Sequence, residues 1–273
     1  MKAKSYAKVN IFLKIVGTRG DYHELISRFV LVKNLYDIVS FEEKETKGFE
    51  LEGDFGCDTK ENTIYKAYKL LCDLDKRVEI FFRSHKVTVQ KQIPSFAGLG
   101  GGSSNAAVFI TMANDAIGLG LSKKQMAELG KRVGADVPFF IHGYNSANVS
   151  GIGEIVEPFE EETLEFDIIT PRIKCDTKEI YAVFRKRFLK HTDIAFAKKL
   201  ASMKSKYIME NYEATEVNDL LKAALVVKPE LKEYLQPGWF MSGSGSSFFR
   251  LKYMKEKHKN ESHSKKQKSF SRF

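Results

Sequence analysis

The stretch Pro94-Ser95-Phe96-Ala97-Gly98-Leu99-Gly100-Gly101-Gly102-Ser103-Ser104-Asn105-Ala106-Ala107 constrains this chain more than any other. Four of the five residues from Gly98 to Gly102 are glycine, so the backbone can turn sharply and expose consecutive N–H groups. Ser103, Ser104 and Asn105 are good N-cap residues, and an apolar, alanine-containing run follows them to Ile117. The pattern predicts a glycine-rich loop feeding straight into a helix N-terminus. Bare amides at the positive end of a helix dipole suit an anion, most often a phosphate. A turn with no ligand is the plainer account, but a loop this dense in glycine is unfavourable to order without a reason.

Familiar phosphate loops do not fit. A Walker A loop ends in Gly-Lys-Ser/Thr, and no lysine lies between Pro94 and Lys123. The dinucleotide fingerprint G-x-G-x-x-G would start at Gly98 and finds Ser103 at its last position. The His-Arg-Asp loop of protein kinases and the G-x-S-x-G hydrolase elbow are both absent.

The net charge of +9 suggests nucleic acid until it is located. Eight Lys/Arg against Glu256 and Glu261 put six of those nine charges in residues 252–273. The body is only mildly basic, and 252–273 reads as a basic tail, part of it disordered. No apolar run approaches the roughly 20 residues of a membrane span, and the amino terminus enters a strand pattern rather than a signal peptide. Cys57, Cys72 and Cys175 are odd in number and widely spaced, which suits a reducing compartment. The expectation is a cytoplasmic protein with no structural metal, no membrane and no obligate protein partner; nucleic acid is not an expected partner.

Along the chain, Ala7, Val9, Ile11, Leu13 and Ile15 alternate with Lys8, Asn10 and Lys14, predicting a strand over Tyr6–Val16 that presents Lys8 beside Asn10. Gly17–Asp21 reads as a turn, and 29–32 and 36–41 as antiparallel strands. Asn62 is a fitting N-cap for a helix to about Asp73, with Ile64, Ala67, Tyr68 and Leu71 on one face. Strands are expected at 78–82 and 86–90, then the loop and its helix to about Gly118. Ser122 and Gln125 form a capping box for a helix to Val133. The run 134–143 reads as a turn leading into an apolar strand. The acidic connection Glu157–Glu162 suggests a domain boundary, with 1–153 and 154–251 as two unequal units. Beyond it, strands at 166–170, 239–242 and 248–251 and helices at 177–189, 193–203 and 218–226 complete an α+β pattern without internal repeats.

Phosphoryl transfer needs a phosphate cradle, a cation near the migrating group and a carboxylate for the acceptor hydroxyl. Asp136, set between Gly134-Ala135 and an apolar run, needs a partner if buried, and Lys8 is a candidate. The residues alone leave plainer accounts open: Lys8 as a solvated strand residue and Asp136 as a turn former before Pro138.

Pro94–Ala107 resembles the signature of the GHMP kinases, and Ser242-Gly243-Ser244-Gly245 resembles their C-terminal glycine motif. More narrowly, Ala7-Lys8-Val9-Asn10-Ile11-Phe12-Leu13, Tyr22-His23-Glu24-Leu25, 98–105 and Gly134-Ala135-Asp136-Val137-Pro138-Phe139-Phe140 are similar to one branch of that superfamily. It is the branch of 4-diphosphocytidyl-2-C-methyl-D-erythritol kinases, of the non-mevalonate isoprenoid pathway. The motifs come in order and span roughly residues 4–250.

The resemblance implies a two-lobed fold, with an N-terminal lobe like ribosomal protein S5 domain 2 and a ferredoxin-like C-terminal lobe. It implies ATP-dependent phosphorylation, with Mg2+ accompanying ATP, of the 2-hydroxyl of a cytidyl-diphosphate alcohol. Asp136 then matches the catalytic base and Lys8 its lysine partner. The loop Pro94, Ser95, Phe96, Ala97, Gly98, Leu99, Gly100, Gly101, Gly102, Ser103, Ser104 and Asn105 matches the ATP phosphate site, and Asn62 and Lys91 its adenine side. Asn10, Tyr22, His23, Phe29, Thr177 and Ser242 match substrate contacts, Tyr22, His23 and Phe29 forming a cytosine pocket. The turn before Tyr22 is one residue shorter than the Asp-Gly-Tyr-His usual there. The implied rivals are another GHMP kinase acting on a small alcohol and a nucleic-acid-binding protein.

Overall fold

The alternating amino-terminal residues build a strand longer than predicted, β1 (Lys2–Arg19), in a computed structural model that describes residues 1–252. The basic tail from 253 onward lies outside the described residues. β1 folds back through Gly20 and Asp21 into β2 (Tyr22–Glu43) as an antiparallel hairpin in which Arg19 pairs with Tyr22. The expected five-residue turn is therefore a tight one, made possible by Gly20 at φ 59°. Bulges between Tyr6 and Ala7, Asn10 and Phe12, and Ile15 and Gly17 re-aim the side chains of β1. Both of its faces are buried in the middle: Val9 and Phe12 are fully enclosed, and Lys8 and Asn10 nearly so.

β2 also pairs with β4 (His85–Gln90) and β5 (Ser146–Ser150); β3 (Leu51–Glu52) and β6 (Ile155–Pro158) extend the two flanks, giving a six-stranded sheet. Five helices belong to this half: α1 (Thr63–Leu74), α2 (Arg77–Phe81), α3 (Gly101–Ile117), α4 (Lys123–Val133) and α5 (Val137–His142). Asn62 caps α1 by accepting from Ile64 N, and the face Ile64, Ala67, Tyr68 and Leu71 is buried as its spacing predicts. Each such large apolar side chain contributes about 1.5–3 kcal/mol.

Two elements differ in kind from the sequence expectation. Residues 78–82, with β-branched Val78 and Ile80 and two phenylalanines, fall in helix α2 and its C-cap, where Val78 is fully buried and Phe82 closes the end against Phe41 and Phe109. The apolar run after Asp136 is helix α5, with Pro138 in its first turn, where its missing N–H is harmless. Tertiary packing overrides the strand preference in both.

The second half contains β7 (Phe166–Ile169), α6 (Thr177–Arg187), α7 (Ile194–Ser202), α8 (Ser205–Asn211), α9 (Ala214–Val217), α10 (Asp219–Val227), β8 (Phe240–Met241) and β9 (Phe248–Leu251). Its sheet is antiparallel, in the order β7-β9-β8. One hydrophobic cluster runs from β1 and β2 into this half, so the two lobes share a core.

Most of the acidic connection is exposed, but it is anchored through β6 and Glu161. Its first residues belong to β6, and the Glu161 side chain is only 3% exposed, with Arg28 Nη1 3.7 Å away. Arg28, from β2, donates to Asn148 Oδ1, Met203 O, Ser205 Oγ and Ala201 O, and its guanidinium lies 3.3 Å from the Phe159 ring centroid. Lys14 pairs with Asp219, whose other oxygen accepts from Ile15 N at 2.8 Å. These contacts fix the second half against the hairpin. Among the described residues no helix is long and apolar enough to cross a membrane.

Candidate active site

The glycine loop is clamped between the two lobes. Gly98 (φ 74°) approaches the β8–β9 turn so closely that a Cβ there would stand 2.1 Å from Ser242 O. Ser242 Oγ donates to Gly98 O at 2.8 Å, and Ser247 N to Ala97 O at 3.1 Å. From the other side Lys8 N donates to Leu99 O at 2.9 Å. Helix α3 starts earlier than its sequence suggests: its N-cap is Gly100, in the left-handed conformation and without a side-chain cap, while Ser103, Ser104 and Asn105 lie in its first turns. Glycine at that position frees the first amides of a 17-residue helix for an external acceptor.

Behind the loop lies a buried network absent from the sequence expectations. Asp37, fully enclosed, accepts from Gln92 N at 2.7 Å, Ile93 N at 2.8 Å and Asn105 Nδ2 at 2.9 Å, and it pairs with Lys91. Asn105 Nδ2 also donates to Ser5 Oγ, which in turn donates to Ser104 Oγ at 2.7 Å. The carboxylate thus holds both the entry to the loop and the first turns of α3.

The loop borders a cavity of about 1010 Å³. At its heart Lys8 Nζ lies 3.4 Å from Asp136 Oδ2 and donates to Asn10 Oδ1 at 2.6 Å. Asn10 Nδ2 donates to Ser27 Oγ at 3.0 Å, which fixes the amide with its oxygen toward the lysine. Lys8 Nζ also stands 4.4 Å over the Phe29 ring, which packs edge-on against Phe139. Phe29 lines the cavity as the floor beneath the ammonium, 2% exposed, rather than as an open stacking face. Asp136 occupies the N-cap position of α5 but caps nothing, so its carboxylate is free to face the cavity, 29% exposed.

Beyond this pair Tyr22 stands exposed at the rim and His23 is buried beside it. His23 lies 5.0 Å from the Tyr181 ring, and its Nε2 accepts from Arg185 Nε at 3.4 Å. Burial, then the Arg185 charge, push the imidazole below its ordinary pKa, so it stays neutral. With Nε2 accepting, the ring proton sits on Nδ1. Burial, then the Asp136 charge, raise the Tyr181 phenol, keeping it protonated.

Most of the predicted residues line this one cavity: Lys8, Asn10, Tyr22, His23, Phe29, Asn62, Lys91, the loop from Pro94 to Ser103, Asn105, Asp136 and Thr177. Two do not. Ser242 is fully buried behind Gly98, and Ser244 of the same turn faces the cavity instead, bonded to Thr177 Oγ1 at 2.8 Å. Ser104 is turned inward to Ser5. Tyr181 and Arg185 were missed, although Thr177, Tyr181 and Arg185 recur every four residues and so share one face of α6.

Residues 62–144 match the family described as GHMP kinases N terminal domain. A 4-diphosphocytidyl-2-C-methyl-D-erythritol kinase of Sulfurimonas denitrificans is 50% identical over 255 residues, covering 91% of this chain and 96% of the relative. The chain belongs to the 4-diphosphocytidyl-2-C-methyl-D-erythritol kinase family. It is thereby an ATP-dependent kinase with the two-lobed α+β fold of the GHMP group. The kinase of the same name from a Sulfurovum species is 46% identical over 91% of the chain and 98% of the relative. A crystal structure titled 4-(cytidine 5'-diphospho)-2C-methyl-D-erythritol kinase superposes with a TM-score of 0.71 at 29% identity, covering 92% of this chain and 90% of the other.

Proposed function

We propose that this kinase transfers the γ-phosphoryl group of ATP to the 2-hydroxyl of 4-diphosphocytidyl-2-C-methyl-D-erythritol, giving the 2-phosphate and ADP, in the non-mevalonate route to isoprenoid precursors. The observation that carries the reading is the Lys8–Asp136 pair, 3.4 Å apart, opening onto the cavity that the glycine loop borders. The amides of Gly101, Gly102 and Ser103 at the start of α3 hold the triphosphate. Asp136 orients the acceptor hydroxyl and takes its proton as the oxygen attacks phosphorus. Lys8, steadied by Asn10 and the Phe29 ring, keeps Asp136 ionised and balances the developing alkoxide.

The cytidine lies between Tyr22 and Tyr181, with His23 Nδ1–H donating to the edge of the base; flat π-faces are what a nucleobase stacks on. Lys178 and Arg185 line the same cavity and suit the diphosphate of the acceptor. Mg2+ would accompany ATP and screen its phosphate oxygens. Ser103, which lines the cavity, would offer its hydroxyl together with water, whereas that of Ser104 is engaged by Ser5. On this reading residues 1–153 bind ATP, 154–251 close the acceptor side, and the enzyme is cytoplasmic.

The test is acceptor-dependent ADP release with purified wild type, Asp136→Asn and Lys8→Met. Wild type turns over the cytidyl alcohol, and each variant loses about 10²–10⁴-fold in kcat. Equal turnover of mevalonate or homoserine by wild type would overturn the substrate, and an unchanged kcat in Asp136→Asn would overturn the base.

A further inference from the structure

Phe96 is the only non-glycine residue with a positive φ (57°) among the described residues, and its ring is 56% exposed. A bulky residue in the left-handed region is a backbone outlier, and a half-exposed phenyl leaves apolar surface in water. Neither burden is relieved by packing, so a fold that carries both at one position invites a functional account. The conformation is imposed from both sides. Upstream, Gln92 N and Ile93 N are fixed on Asp37. Downstream, the carbonyls of Ala97, Gly98 and Leu99 are held by Ser247, Ser242 and Lys8. Between these anchors the chain turns so that Phe96 stands at the wall of the cavity.

The ring belongs to one side of the loop. Its Cε2 lies 3.7 Å from where a Cβ of Gly56 would be, whereas Lys8 packs on Gly100. The acceptor machinery is thus on the Lys8 side, and Phe96 stands with Phe55, Cys57 and Asn62 along the other stretch of the cavity lining. Phenylalanine offers no hydrogen bond; it offers a flat π-face. A phosphate donor held by the amides of α3 carries one group that such a face recognises, its nucleobase.

We infer that Phe96 is a specificity-determining residue for the phosphate donor, held in a strained conformation so that its ring stacks on the purine. This rests on the reading of the loop as the ATP site and deepens it: the amides take the phosphates, and the ring takes the base.

The experiment is calorimetric titration of ATP, and separately of inorganic tripolyphosphate, into wild type, Phe96→Gly, Phe96→Ala and Phe96→Trp, with thermal unfolding of each protein. Loss of the ring weakens ATP about ten-fold in the Gly and Ala variants and leaves tripolyphosphate unchanged, and Phe96→Trp restores ATP binding. Phe96→Gly also relieves the strain, so its Tm equals that of wild type or rises by up to about 3 °C. ATP affinity unchanged in Gly and Ala overturns the inference. Equal weakening of both ligands overturns it as well, since that reports loop shape rather than stacking. So does a fall in Tm for Phe96→Gly, which would make the ring a packing element. The acceptor is absent from these titrations, so a wrong cytidyl substrate leaves the result intact; a wild type that binds no ATP sinks this inference and the donor reading together.

Discussion

His23 is where protonation and recognition meet. Its ring is buried, and burial and Arg185 together hold its pKa below 6.5, the ordinary value. The unfolded chain takes up a proton at about 6.5 and the folded one only lower. Stability from this group is therefore full above that value and is lost as pH falls from it toward the folded pKa. The same neutral ring is the one proposed to read the base. KM for the cytidyl acceptor is expected to stay flat from pH 8 down to about 6.5 and to rise below the folded pKa. His23→Gln should give a raised KM with that acidic limb removed. Arg185→Gln removes one of the two causes, so the limb should move up in pH; steady-state kinetics across pH, beside an NMR titration of the ring, check both. An acidic limb that stays where it is in His23→Gln assigns it to another group.

At the scale of elements, the glycine loop is braced by the β8–β9 turn that touches it. Gly98 has no room for a side chain: φ is 74° and a Cβ would meet Ser242 O at 2.1 Å, a backbone atom fixed by its own turn. Gly98→Ala should lower stability by about 3 kcal/mol or more and abolish ATP binding. Gly102→Ala is the contrast: its Cβ would meet only the Thr63 side chain, Oγ1 at 3.4 Å and Cγ2 at 3.9 Å, within a helix, so the fold should tolerate it. Chemical denaturation of the two variants checks the difference. The loop, the α1 cap at Asn62 and the capping box at Ser122 were all legible in the sequence, because each is a local signal of backbone chemistry. So was the Lys8–Asp136 pair, through its motifs. Elements whose identity is decided by packing were not. Val78 and Val137 are β-branched residues in helices, chosen by the core they enter. Asp37 and Tyr181 reach the site by folding alone, from strand and helix positions that look ordinary in one dimension.

For the whole molecule, Arg28 is, like Asp37, a fully enclosed charge, with Glu161 beside it. Burial pulls its pKa down to about 10, offset in part by Glu161, and it remains charged. Arg28→Met leaves Glu161 buried without its partner and should cost about 3–5 kcal/mol. Replacing Glu161 by leucine in the same protein should recover part of that loss, since Ser205 N still loses its acceptor. Denaturant midpoints of the two variants decide between a required ion pair and a replaceable one.

The order of strands in the second sheet carries a consequence for biosynthesis. β9 is its middle strand, flanked by β7 and β8, and it is the last strand of the described chain. Ser242 and Ser247, which brace the loop at Gly98 and Ala97, come just before it. A nascent chain that has already made the whole loop and α3 still lacks both braces. If the loop is the ATP site as proposed, nucleotide capture should wait until β9 has been made, and premature stops before residue 251 should yield chains that neither close the sheet nor retain ATP.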